Sequence, residues 1–70
     1  MGFINEDIVI DFELPEIIKN TIEEAEELSK TENVEYFGVA DILDVLCKNA
    51  YANGVITKEQ WYTVINRYPI

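Results

Sequence analysis

The sequence predicts an all-α or nearly all-α fold, in which residues 1–70 form one small domain of three helices behind an N-terminal arm or short strand. Two observations support this fold class. Apolar residues recur at steps of three and four in three separate stretches, which is the period of an amphipathic helix. Helix start and stop signals, among them Pro15, Gly54, Thr57 and Pro69, lie at the ends of these stretches.

The N-terminal segment, residues 1–14, is the only part with the period of a strand, since apolar and acidic residues alternate from Ile8 to Glu13. A single strand needs a partner. The segment is therefore expected to pair with its copy in a homodimer or to lie over the helices as an extended arm. A third interpretation makes part of it helical.

The first helix is predicted from residue 15 to residue 30. Pro15 suits the first turn of a helix because its missing N–H would have no intrahelical partner there. Lys30 suits the last turn because a cation interacts favourably with the C-terminal end of the helix dipole. The predicted core-facing stripe consists of Ile17, Ile18, Ile22, Ala25 and Leu28.

The second and third helices are predicted at residues 39–53 and 57–68, as a hairpin closed by Gly54. Thr57 and Gln60 have the spacing of a capping box, and Ile56 and Trp61 that of a hydrophobic staple. The segment 34–38 is either the start of the second helix or a loop. The predicted core face of the second helix consists of Val39, Ile42, Leu43, Leu46, Cys47 and Ala50, with Asp41, Asp44 and Lys48 opposite.

The net charge of −9 lies entirely in the first half of the chain. Residues 1–35 contain eleven acids and two bases, whereas residues 36–70 contain three of each. An acidic surface disfavours direct binding to nucleic acids, which requires clustered cations. It favours a basic protein partner.

Several classes of function are not expected. The chain has no histidine and a single cysteine, Cys47, on an apolar face, so neither a common general base nor a metal-ligand cluster is visible. We therefore predict no enzyme, no catalytic or metal site and no cofactor. No apolar run reaches the roughly 20 residues of a membrane span and no signal peptide is visible, so a cytoplasmic protein without membrane contact is expected.

The hairpin turn, residues 49–60, resembles an EF-hand calcium loop, with Gly54 at the turn position and Ile56 at the apolar position. Its ligand positions depart from that pattern, since Asn49 is first and Gln60 is twelfth where carboxylates are usual. The resemblance implies a vestigial calcium module. In size, charge and the Gly-Val-Ile-Thr-Lys-Glu-Gln-Trp motif, the chain also resembles small acidic uncharacterised proteins of Gram-positive phages and conjugative elements. That resemblance implies a bacterial accessory protein.

The favoured function is a small non-catalytic module that binds another protein. The main alternative is an acidic inhibitor that imitates nucleic acid and binds a basic protein. The tyrosines beside the apolar stripes either close the edge of the core or contribute apolar surface to a partner site. The candidate partner surface comprises Glu16, Glu23, Glu24, Glu27, Tyr36, Tyr51 and Tyr62.

Overall fold

A computed structural model describes residues 2–70 and confirms the all-α fold. The helices are α1 (Glu16–Lys30), α2 (Tyr36–Ala52) and α3 (Lys58–Arg67). The described part of the N-terminal segment contains no strand and runs as an irregular arm to Pro15. Met1, the first residue of the predicted arm, lies outside the described residues.

The three predicted helices are present, and the largest difference is at the start of α2. Helix α2 begins at Tyr36, three residues earlier than the predicted residue 39. The Asn33 side chain accepts a hydrogen bond from the Glu35 N–H at 2.9 Å and so stabilises the turn that leads into the helix. The first part of segment 34–38 is therefore a turn, and the rest of it, including Gly38, is helical.

The turn between α2 and α3 has the predicted local chemistry. The Thr57 hydroxyl accepts from the Gln60 N–H at 3.1 Å, and the Gln60 side chain accepts from the Thr57 N–H at 2.9 Å. Gly54 adopts a φ of 74°. The N–H groups of Gly54 and Val55 donate to carbonyls in the last turn of α2, which is the Schellman arrangement.

Helix α2 is the central element, because it packs against both α1 and α3, whereas α1 and α3 make no backbone contact with each other. The N-terminal arm connects these two outer helices. The Phe3 N–H donates to Ser29 Oγ of α1 at 2.9 Å, and the Asn5 N–H donates to the carbonyl of Arg67 in α3 at 2.8 Å. The Arg67 guanidinium in turn donates to the carbonyl of Ile8.

The core lies between the three helices and the arm. Its largest fully buried side chains are those of Ile18, Tyr36, Leu43, Cys47 and Val64. Partly buried residues of the arm pack against this cluster, which explains how a chain of this size covers its apolar interior. These residues are Phe3, Ile4, Ile10 and Phe12.

Two residues of the predicted apolar stripes are exposed. Ile17 is 60% exposed and Ile42 is 55% exposed. Each lies one position before the centre of its buried face, marked by Ile18 and Leu43, and one residue corresponds to a rotation of about 100° around a helix. Asp44 was predicted to face solvent, but it is partly buried.

Candidate functional site

A cluster of large, partly exposed side chains lies at the α2–α3 hairpin, and we call it the aromatic surface: Tyr51, Lys58, Trp61 and Tyr62. The Trp61 indole lies between the two tyrosine rings. Its centroid is 5.6 Å from that of Tyr51, with nearly parallel planes, and 5.2 Å from that of Tyr62. Lys58 Nζ lies 5.7 Å from the centroid of the Tyr62 ring, a cation–π geometry.

Local sequence places these side chains together. Lys58, Trp61 and Tyr62 are separated by three and four residues, so they share one face of α3. The short turn then folds α3 back along α2, which brings Tyr51 in the last turn of α2 against Trp61. The structure thus joins two of the predicted partner-surface residues through a tryptophan.

A hydrogen bond orients the tryptophan. Trp61 Nε1 donates to Asp44 Oδ1 at 2.8 Å. Because one side of the indole is held by this bond and another by the Tyr51 ring, the aromatic surface is preformed. Trp61 is therefore partly buried at the edge of the core, and only its outer part faces solvent.

The two flanking tyrosines remain available to a ligand. Tyr51 is 41% exposed and Tyr62 is 44% exposed. Neither hydroxyl forms a hydrogen bond within residues 2–70. The aromatic surface therefore offers ring faces for apolar contact together with unused hydrogen-bonding groups, the combination that favours tyrosine and tryptophan at protein interfaces.

The predicted acidic residues form a separate feature on α1. Glu16, Glu23, Glu24 and Glu27 are all exposed. Three of them, Glu16, Glu23 and Glu27, lie within about 40° of one another around the helix. None of the four forms an ion pair within the described residues, so their charges face solvent.

Tyr36 does not belong to a partner surface, and its inclusion in the prediction is wrong. Its side chain is fully buried, with its ring 5.0 Å from that of Phe3 and 5.3 Å from that of Phe37. Burial, followed by the nearby charge of Glu26, raises the pKa of Tyr36 to about 12. Its hydroxyl has no hydrogen-bond partner among the described residues.

Sequence reasoning omitted Lys58, Trp61 and Asp44 from the candidate surface. The spacing of Lys58 and Tyr62 indicates a shared face, which was a usable signal. The hydrogen bond from the Trp61 indole to Asp44 has no comparable signal in the sequence, because the two residues lie on different helices and are 17 positions apart.

The turn does not have the open-loop geometry of an EF-hand, and the Cys47 thiol is not ionised at neutral pH. Asn49 to Ala52, the first four positions of the EF-hand-like stretch, form the last turn of α2 and not an open loop. Residues 2–70 contain no group of three or more acidic or cysteine side chains placed to hold a metal ion. Burial and the charge of Asp44 raise the pKa of the Cys47 thiol to about 11, so this buried thiol is protonated at neutral pH.

A groove of about 580 Å³ lies between the arm, α1 and the end of α3. Its two cationic residues already face carboxylates: Lys19 lies 3.7 Å from Glu13, and Arg67 lies 3.6 Å from Glu26. An anionic ligand in the groove would therefore compete with these carboxylates for both cations. No helix of residues 2–70 is long and apolar enough to cross a membrane.

Comparison of the chain with protein-family models, curated proteins and solved structures gives no match.

Proposed function

We propose that this chain is a non-catalytic protein-binding module and that the aromatic surface is its binding site. The observation that carries the proposal is the stacked cluster of Tyr51, Trp61 and Tyr62, partly exposed and held in place by Asp44. Tyrosine and tryptophan supply large contact areas with few rotatable bonds, so ordering them on binding has a small entropic cost.

The packing of the core supports this assignment. The buried cluster closes without the outer faces of Tyr51 and Tyr62, which remain more than two-fifths exposed. Aromatic rings with exposed outer faces are typical of surfaces that become buried in a complex.

The proposal can be tested with a phage-displayed library of random dodecapeptides, selected on the immobilised wild-type chain. The enriched peptides are then measured against the double variant Tyr51→Ala/Tyr62→Ala. We expect binding to weaken at least tenfold, because two interface aromatic residues together contribute several kcal/mol.

A matched control is Val34→Ala, which truncates a side chain that is 74% exposed and lies outside the aromatic surface. This variant should bind the selected peptides as the wild type does. If the enriched peptides bind the double tyrosine variant with unchanged affinity, the aromatic surface is not the binding site and the proposal is wrong.

The second candidate is an acidic inhibitor of a nucleic-acid-binding protein, favoured by the four exposed, unpaired carboxylates of α1. Such binding depends on Coulombic attraction and weakens as salt rises. The quadruple variant Glu16→Gln/Glu23→Gln/Glu24→Gln/Glu27→Gln would abolish binding by this route and leave binding by the aromatic surface intact. Comparing it with the double tyrosine variant separates the two functions.

A further inference from the structure

A small cavity lies along the seam between α2 and the end of α3. Its volume is about 230 Å³. Its lining is mainly apolar and includes Ala40, Ile65 and Pro69, and Asp44 is the one carboxylate side chain in it. We call it the seam cavity.

Asp44 connects the seam cavity to the aromatic surface. It lies one turn after Ala40 on α2, and its Oδ1 atom accepts the indole N–H of Trp61. Ile65 also lines the cavity and follows Trp61 by one turn on α3, so the cavity lies about one helical turn from the indole. An occupant of the cavity would therefore contact apolar side chains and the same carboxylate that orients Trp61.

Asp44 forms no ion pair within residues 2–70. The two ion pairs formed by residues 2–70 are Lys19–Glu13 and Arg67–Glu26, and Asp44 takes part in neither. A carboxylate has about four lone-pair positions, and the indole N–H uses one of them. Asp44 thus has capacity for a further donor, and a cationic donor would compensate its charge.

We propose that the seam cavity accepts an arginine side chain of the partner protein, with the aliphatic stem against Ile65 and the guanidinium donating to Asp44. This inference rests on the proposed function, because the arginine belongs to the protein that the aromatic surface binds. The partner protein would present a segment with an arginine that enters the cavity and with apolar groups that cover Tyr51 and Tyr62.

Arginine suits this place better than other side chains. Its three methylene groups match an apolar lining, and its planar fork can donate two hydrogen bonds to a carboxylate. A neutral apolar side chain would bury Asp44 without a partner for its charge, which is unfavourable. The net charge of −9 further favours the approach of a cationic segment.

The test is an NMR titration with two small probes, N-acetyl-arginine amide and N-acetyl-citrulline amide. Citrulline has nearly the shape of arginine but carries no charge. The chain has one tryptophan, so the single indole N–H signal reports on the Trp61–Asp44 pair without ambiguity. We expect the arginine probe to shift this signal and the citrulline probe to bind at least threefold more weakly.

The informative variant is Asp44→Asn, which keeps an oxygen that can accept the indole N–H and removes the charge. We expect it to weaken binding of the arginine probe about threefold to fivefold, the effect of one partly exposed ion pair. Asp11→Asn is the matched control, because it removes one negative charge from an exposed position in the arm. It should leave binding unchanged.

The outcomes separate this inference from the proposed function. If the arginine probe produces no shift, or if it binds wild type and Asp44→Asn equally, the inference is overturned. Dodecapeptides that depend on Tyr51 and Tyr62, but lack arginine and bind Asp44→Asn as well as wild type, would also overturn it while leaving the proposed function intact. Dodecapeptides that ignore both tyrosines would overturn the proposed function itself.

Discussion

The Tyr68 hydroxyl, just beyond the end of α3, donates a 2.6 Å hydrogen bond to the Glu26 carboxylate in α1. This bond joins two helices whose backbones do not contact each other. Arg67 lies beside it, with Nε donating to the Tyr68 hydroxyl at 3.2 Å and Nη2 3.6 Å from Glu26. The three side chains form a polar bridge between the outer helices, and through Arg67 they also hold the arm.

Removing the Tyr68 hydroxyl should destabilise the fold. We expect Tyr68→Phe to lower the free energy of unfolding by about 1.5–3 kcal/mol, because a partly buried hydrogen bond to a charged group is lost. Urea denaturation followed by circular dichroism measures the change. Tyr62→Phe removes an exposed hydroxyl without a partner and should change stability by less than about 0.5 kcal/mol. Equal effects of the two variants would show that the bridge does not stabilise the fold.

Removing the Tyr36 hydroxyl should stabilise the fold. It is buried without a hydrogen-bond partner among the described residues, so it is desolvated without compensation. We expect Tyr36→Phe to keep the ring packing and to raise the free energy of unfolding by about 1 kcal/mol. The same urea experiment measures it. A loss of stability would mean that the hydroxyl has a partner in solution, such as a bound water molecule.

The fold should lose stability in alkaline solution. Burial, together with the hydrogen bond to Glu26, raises the pKa of Tyr68 from 10.0 to about 12, and that of Tyr36 also rises to about 12. The folded state therefore favours the protonated hydroxyls. Their contribution is complete below pH 10 and is lost as pH rises toward 12.

Cys47 also lowers the stability of the fold as pH rises above 9, since folding raises its pKa from 9.0 to about 11. Each group contributes a slope of up to about 1.4 kcal/mol per pH unit within its window. Urea midpoints measured from pH 8 to pH 11 should fall steadily above pH 9, and Tyr36→Phe should show a shallower decline above pH 10. A flat profile would contradict the burial of these groups.

Two glycines should respond oppositely to alanine. Gly54 has a φ of 74°, so Gly54→Ala forces a side chain into the left-handed region and should cost about 1 kcal/mol. Gly38 lies within α2 with open space around its Cα, so Gly38→Ala should stabilise by about 0.5–1 kcal/mol. Thermal unfolding of both variants tests the contrast. Stabilisation by Gly54→Ala would contradict the turn geometry.

Trp61→Ala should destabilise the fold, because Trp61 packs at the edge of the core and donates a hydrogen bond to Asp44. Full burial would predict a loss of about 3–5 kcal/mol. Because Trp61 is only partly buried, we expect about 2–3 kcal/mol, including the lost bond to Asp44. Trp61→Phe should retain part of the packing and lose the hydrogen bond, at about 1 kcal/mol. A fully folded Trp61→Ala variant with unchanged urea midpoint would show that Trp61 contributes nothing to the core.

Much of the fold was predictable because it depends on neighbours in the sequence. Helix α1 begins and ends within one residue of its prediction, and so does α3. The capping box of Thr57 and Gln60 involves residues three apart, so short-range chemistry suffices to predict it. The start of α2 was placed too late because Val34 to Gly38 carries no strong capping pattern.

The candidate site was predictable only in part. Of the three predicted tyrosines, Tyr51 and Tyr62 lie at the surface. Tyr36 has the same chemistry and is buried, because the arm places Phe3 against it. Sequence alone could not separate these cases, since a tyrosine at the margin of an apolar stripe suits either environment.

The sequence by itself determined the presence of the three helices, the capping box of α3, the Gly54 turn and the acidic character of the first half, because propensity, capping and charge act over a few residues. Only the tertiary structure decided which margin of each helix is covered. Where the arm crosses between α1 and α3, it covers Tyr36, and Tyr68 reaches Glu26. At the seam between α2 and α3, the rings of Tyr51 and Tyr62 stay exposed and the carboxylate of Asp44 is only partly buried. These differences could not be read from the sequence, because burial depends on neighbours that lie far away in the chain.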